Sequence, residues 1–240
     1  MKSLLFRLTR RQRQICYSLI LAAIIAFAAV INHDNDKYNK IKDKDSQEVL
    51  LKIPDNFLQE DLSDPSLSKD EVFIYKSYGN KSCAIVGVID KSITTAEITT
   101  KSPIGDIVIE ISNNAFDGCD KLTLITISDS IKEIAADAFI SCNNLISIMT
   151  NSSNTKFCSI GGVLMNKDKT ELICYPANKK DNRYLLSLNI KRIGSYAFYG
   201  VKNLELLLYE GSTERFEEIY VALGNEAFEK MQITCNYRAK

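Results

Sequence analysis

IEISNNAFDGCDKLTLITI (109–127) and IKEIAADAFISCNNLISIM (131–149) carry one pattern twice, and their register decides the fold. At a spacing of 23, Ile111 falls on Ile134, Phe116 on Phe139, Cys119 on Cys142, Leu122 on Leu145 and Ile125 on Ile148. A third copy, IKRIGSYAFYGVKNLELLLY (190–209), places Ile193, Ala197, Phe198, Val201, Leu204 and Leu207 at the same positions, 59 residues beyond the second. The shared pattern is I-x-x-x-A-F-x-x-[C/V]-x-x-L-x-x-[I/L]. One such unit cannot bury its own apolar edge, so copies must stack.

A period of 20–29 residues with Leu-x-x-Ile/Leu spacing predicts a leucine-rich-repeat solenoid, with one short strand and one short helix or turn per coil. The strand should centre on L-x-x-I-x-I, and the tight turn on the Ala-Phe pair. Coils stacked about 4.8 Å apart would form a continuous sheet over a ladder of like side chains. The phenylalanines should carry much of that core. Between copies two and three, FCSIGGVLMNKDKTELICYPANKK (157–180) holds two strand-like runs and reads as a hairpin insert within 151–180. Centring its turn on Asp168 pairs Cys158 near Asn178 and Cys174 near Gly162. Gly161-Gly162 lacks the Lys-Ser/Thr of a phosphate-binding loop and reads as a backbone bend. Residues 83–109 carry short β-branched runs and should form an N-terminal cap. Residues 210–240 should form a C-terminal cap, in which Ser212 N-caps a helix with Glu214 near its positive end.

These segments resemble the BspA-like leucine-rich-repeat proteins of bacterial and some protist cell surfaces. The A-F-x-x-C-x-x-L-x-x-I repeats, the run S-I-G-G-V-L-M-N-K-D-K-T-E-L-I-C-Y-P (159–176) and the ending G-N-E-A-F (224–228) with I-T-C-N-Y (233–237) carry the resemblance in order. It covers about residues 72–237. Ser112 and Ala135 depart from the family's glycine, which Gly194 keeps, and Val201 replaces the repeat cysteine. The resemblance implies surface exposure and adhesion or protein binding, with no ligand named.

Upstream, ICYSLILAAIIAFAAVI (15–31) is an uncharged run behind a basic region, 1–14, that carries Lys2, Arg7, Arg10, Arg11 and Arg13. At 1.5 Å per residue it spans about 25 Å as a helix, enough for a thin bilayer. The basic region should stay cytoplasmic and the C-terminal domain should lie outside. An uncleaved signal anchor and a signal peptide cut after Ala26-Phe27-Ala28 both fit; the latter would give a secreted protein. Residues 32–68 begin NHDNDKYNKIKDKDSQ, too polar to bury much surface, and read as a stalk, with the repeat domain at 69–240.

Lys+Arg and Asp+Glu both number 30, so no basic surface points to nucleic acid. Seven cysteines without a Cys-x-x-Cys pair, and one histidine, His33, exclude the usual zinc spacings and imply no metal or cofactor. His33 lies beside the apolar run, so no Ser-His-Asp or Cys-His centre is expected in the repeats. Cys119 and Cys142 come within disulfide reach on adjacent coils. Because Val201 takes the same slot, they read as buried free thiols. An enzyme is not expected; dispersed carboxylates would be the only chemistry left to one. In the strands, alternate positions point away from the core: Leu124 and Thr126, Ser147 and Met149, Leu206 and Leu208. These six are the candidate ligand-binding residues. The sequence therefore predicts a surface binding or adhesion module for a protein or glycan, with a scaffold for envelope partners as the alternative.

Overall fold

The computed structural model describes residues 64–238, and within them the chain is a β-solenoid of about six turns with few helices. Each turn supplies one strand to each of two series of parallel strands. The first series is β3 (Ser82–Val88), β5 (Ile107–Ile111), β7 (Glu133–Ile134), β11 (Glu171–Cys174), β13 (Arg192–Ile193) and β15 (Tyr220–Val221). The second is β4 (Thr95–Glu97), β6 (Leu124–Ile127), β8 (Ser147–Thr150), β12 (Arg183–Leu186), β14 (Leu206–Tyr209) and β16 (Gln232–Thr234). The spacing of 23 is the hydrogen-bond register itself: Ile111 pairs with Ile134, Leu124 with Ser147 and Ile125 with Ile148. Leu122, Ile125 and Ile127 are all buried, as the period-2 reading of L-x-x-I-x-I requires.

The same register identifies turns that the sequence reading assigned otherwise. β12 pairs with β14 in parallel, Arg183 against Leu206, again 23 residues apart. Residues 171–186 are therefore a full turn, the fourth, rather than part of an insert and its tail. Residues 82–97 are the first turn, not a cap, since β4 pairs in parallel with β6. The C-terminal segment is the sixth turn: helix α1 (Thr213–Glu217), β15, helix α2 (Glu226–Lys230) and β16. Ser212 caps α1 as expected, its hydroxyl accepting from the Arg215 N–H at 3.4 Å. At the other end, β1 (Leu67–Lys69) pairs antiparallel with β2 (Phe73–Ser77), so ordered structure begins before residue 69. Asp64 starts it by accepting the Ser66 N–H in a turn at Pro65.

The true insertion is two strands, β9 (Phe157–Ile160) and β10 (Val163–Asn166), and its turns differ from the one expected. Gly161 and Gly162, at φ +56° and +83°, form a two-residue turn between them. A second turn at 167–170 then leads into β11. Cys158 thus faces Met165, and Cys174 faces Leu164 beside a bulge, instead of Asn178 and Gly162. The glycine pair permits a tight reversal that a single turn at Asp168 left out.

β10 is buried on both faces. Leu164 belongs to one core with Phe116, Cys119, Cys142 and Ile148, while Val163 and Met165 belong to another with Phe198, Leu207 and Phe228. The insertion is a wedge between two halves of the solenoid. The aromatic ladder breaks at the same place. Phe73, Phe116 and Phe139 follow one another at 6.1 and 5.5 Å between ring centroids. Tyr175, Phe198 and Phe228 follow at 5.5 and 5.3 Å. The fourth turn has only residues 175–182 between its strands, where its neighbours have 135–146 and 194–205. With no Ala-Phe turn to cover it, Phe139 is half-buried, whereas Phe116 and Phe198 are fully buried.

Candidate binding surfaces

Parallel register places four of the six predicted residues on one face. On β4, β6 and β8, Thr95, Leu124 and Ser147 form one outward row, and Glu97, Thr126 and Met149 form the next. Met149 is 47% exposed and Leu124, Thr126 and Ser147 are half-buried. The row is more polar than the four apolar members of the predicted set suggested, because β4 adds Thr95 and Glu97. The structure separates Leu206 and Leu208 from these four, placing them in a second sheet, β12-β14-β16. There Leu206 is flanked by Arg183 and Gln232, and Leu208 by Leu185 and Thr234. Leu208 is only 8% exposed, so it belongs to the packed interior and not to an open face. Leu185, at 42%, is the exposed apolar residue of that sheet.

The Gly161-Gly162 turn divides the two faces. The Ile148 N–H donates to the Gly162 carbonyl at 2.9 Å, and the Ser159 hydroxyl donates to the Ile148 carbonyl. A Cβ at Gly162 would lie 2.6 Å from Ser147 Oγ, so only glycine lets the turn sit over Ser147. The sequence reading missed Thr95, Glu97, Arg183 and Leu185. The signal for the last two was present in the spacing of 23 between 183–186 and 206–209.

The thiols are free, as expected. Cys119 and Cys142 are fully buried, and Cys83, Cys158, Cys174 and Cys235 are also unbridged. Burial pushes the Cys174 thiol up to about 12 and the Cys142 thiol further in the same direction, so neither is a nucleophile at neutral pH. Among the described residues no group of three or more His, Cys, Asp or Glu side chains is placed to hold a metal ion.

On the first strand series, Arg192 Nε donates to Glu171 Oε1 at 2.7 Å, and its guanidinium lies 4.8 Å from the Tyr220 ring centroid. This links turns four, five and six. Tyr78 donates to Glu110 Oε2 at 2.5 Å, tying the N-terminal hairpin to the second turn.

Stacked parallel coils with an aliphatic and aromatic ladder define a leucine-rich-repeat domain. A family model of the BspA-type leucine-rich repeat region matches residues 91–161 and 174–236 in six copies, and the chain belongs to that family. The matched segments omit 162–173, which contains β10 of the wedge. No curated protein matches the chain.

Among solved structures it is similar to a leucine-rich repeat protein from Eubacterium ventriosum, at 30% identity and a TM-score of 0.40, over 42% of this chain and 27% of that one. A leucine-rich repeat protein from Bacteroides ovatus matches at 23% identity and a TM-score of 0.44, over 71% and 40%. The leucine-rich repeat protein of T. pallidum matches at 17% identity and a TM-score of 0.42, over 66% and 81%. The chain thus spans well under half the length of the first two.

Proposed function

We propose that this protein is an extracytoplasmic binding or adhesion module, held at a membrane by residues 15–31 and presenting its repeat surface to a protein or glycan. The observation that carries the reading is the outward face of β4, β6 and β8. Its rows of side chains stand on a hydrogen-bonded backbone packed against a closed core, so they reach a ligand with little left to order. Repeat domains of this family typically act as binding scaffolds rather than enzymes. The predicted span at 15–31 lies outside the described residues, and among those described no helix is long and apolar enough to cross a membrane.

The test is to display the full chain on cells and probe it with matrix proteins, a glycan array and envelope extracts. Leu124→Lys and Met149→Lys should abolish capture of the ligand that binds this face. Capture unchanged by both variants would move the site elsewhere, and capture of nothing by correctly oriented protein would overturn the reading.

A further inference from the structure

The largest open depression on the described surface lies between the fifth and sixth turns, away from the sheet face. It is a groove of about 580 Å³, within the size range of ligand sites. Val201, Leu204 and Met231 make an apolar floor, Tyr199 stands as one wall, and Glu205 and Glu226 occupy the rim. Val201 is the residue that breaks the cysteine ladder, so a change that looked like repeat decay also shapes this floor.

The wall is held in place. Tyr196 has φ +59°, a left-handed conformation uncommon for a bulky residue. Its N–H donates to the Leu223 carbonyl at 2.9 Å, and its ring rests where any side chain at Gly224 would be. Tyr199 packs edge-on against it at 6.0 Å and is still 44% exposed. From Tyr196 the apolar surface continues to Leu223, 66% exposed, and to Val221 and Tyr220 on the edge strand β15.

Charge identifies the partner. Residues 203–231 contain seven glutamates against Arg215 and Lys230, whereas residues 164–192 hold seven basic and three acidic residues. The negative charge is therefore concentrated around the groove. We infer that the groove docks a segment of a protein partner in which lysine or arginine alternates with aliphatic side chains. The aliphatic groups would cover Val201 and Met231, the cations would meet Glu205 and Glu226, and Tyr199 would serve both through its ring face. This rests on the reading of the chain as a binding module and names the site and the partner's chemistry.

The experiment pans a random dodecapeptide library over the full chain in lipid nanodiscs. It then measures a synthetic peptide alternating lysine and leucine beside its glutamate-for-lysine counterpart. Enriched peptides should combine basic and aliphatic residues, and the lysine peptide should bind while the glutamate peptide does not. Tyr199→Ala together with Glu205→Gln and Glu226→Gln should weaken binding by about tenfold, and raised salt should weaken it further. The two glutamine changes are isosteric and exposed, so they test the site even if the tyrosine change disturbs folding. Met149→Lys should leave peptide binding intact, which separates this site from the sheet face. Peptide binding that ignores the groove variants, enrichment of acidic or uncharged peptides, a saccharide competing at the groove, or no enrichment would each overturn the inference.

Discussion

Asn154 and Asn225 show what a single side chain does in a stack of coils. Asn154 is fully buried; its amide donates to the Ser128 and Ile131 carbonyls at 2.8 and 3.0 Å, and its carbonyl accepts from the Lys156 and Phe157 N–H groups at 2.8 and 2.7 Å. Asn225 does the same for the fifth and sixth turns, accepting from the Phe198 N–H and donating to the Gly194 and Ala222 carbonyls. Asn154→Ala strands four backbone groups at once. It should cost about 2–4 kcal/mol in urea unfolding of a soluble 64–240 fragment, above the range for one unsatisfied group. Phe116→Ala should cost about 3–5 kcal/mol. Phe139→Ala should cost clearly less, because the shortened fourth turn leaves that ring half-buried; equal losses at the two positions would contradict the break in the ladder. Cys142 supplies a pH test. Its thiol is raised in the folded state by burial, with Cys119 and Cys174 adding to it. The unfolded chain therefore loses its proton first, and stability should fall as pH rises above about 9, the ordinary thiol range. Cys142→Val copies the substitution that Val201 makes at the equivalent position. Comparing urea midpoints at pH 7 and 10, it should show a smaller alkaline loss than the wild type.

At the scale of elements, the wedge strand β10 governs how the two halves communicate. Its side chains alternate between the first core and the second, so neither half is complete without it. Calorimetry of the 64–240 fragment should show one transition. Deleting 157–166 should split or abolish it, since each core then loses buried side chains and β11 loses its antiparallel partner. A deletion variant that melts in one transition at the wild-type temperature would show that the halves couple by another route. Gly162→Ala should destabilise through both its φ of +83° and the 2.6 Å approach to Ser147 Oγ. Adding Ser147→Gly should recover the steric part and leave the backbone part, a difference that a double-mutant cycle reads directly.

Across the whole molecule, the repeats were legible because stacking forces like residues to recur at the same depth. The register of 23, the buried L-x-x-I-x-I rows and the free thiols followed from the sequence by itself. So did the coupling of Ser212 to its helix, since capping is a local matter of one side chain and the next turn. What lay beyond it was everything that depends on which face meets which neighbour. The fourth turn was hidden because its Ala-Phe segment is missing, and only the pairing of Arg183 with Leu206 restores it to the series. Leu208 obeys the strand period that marked Leu206, yet packing around β14 buries it and leaves Leu206 in part accessible. Alternation assigns a side chain to a face; it does not say what covers that face. The groove at Tyr199 was invisible for the same reason, being formed by residues about 30 positions apart that meet only when turns five and six stack. Periodicity, which is local, was determined by the sequence alone, whereas exposure is a sum over neighbours distant in the chain and was decided by the tertiary structure.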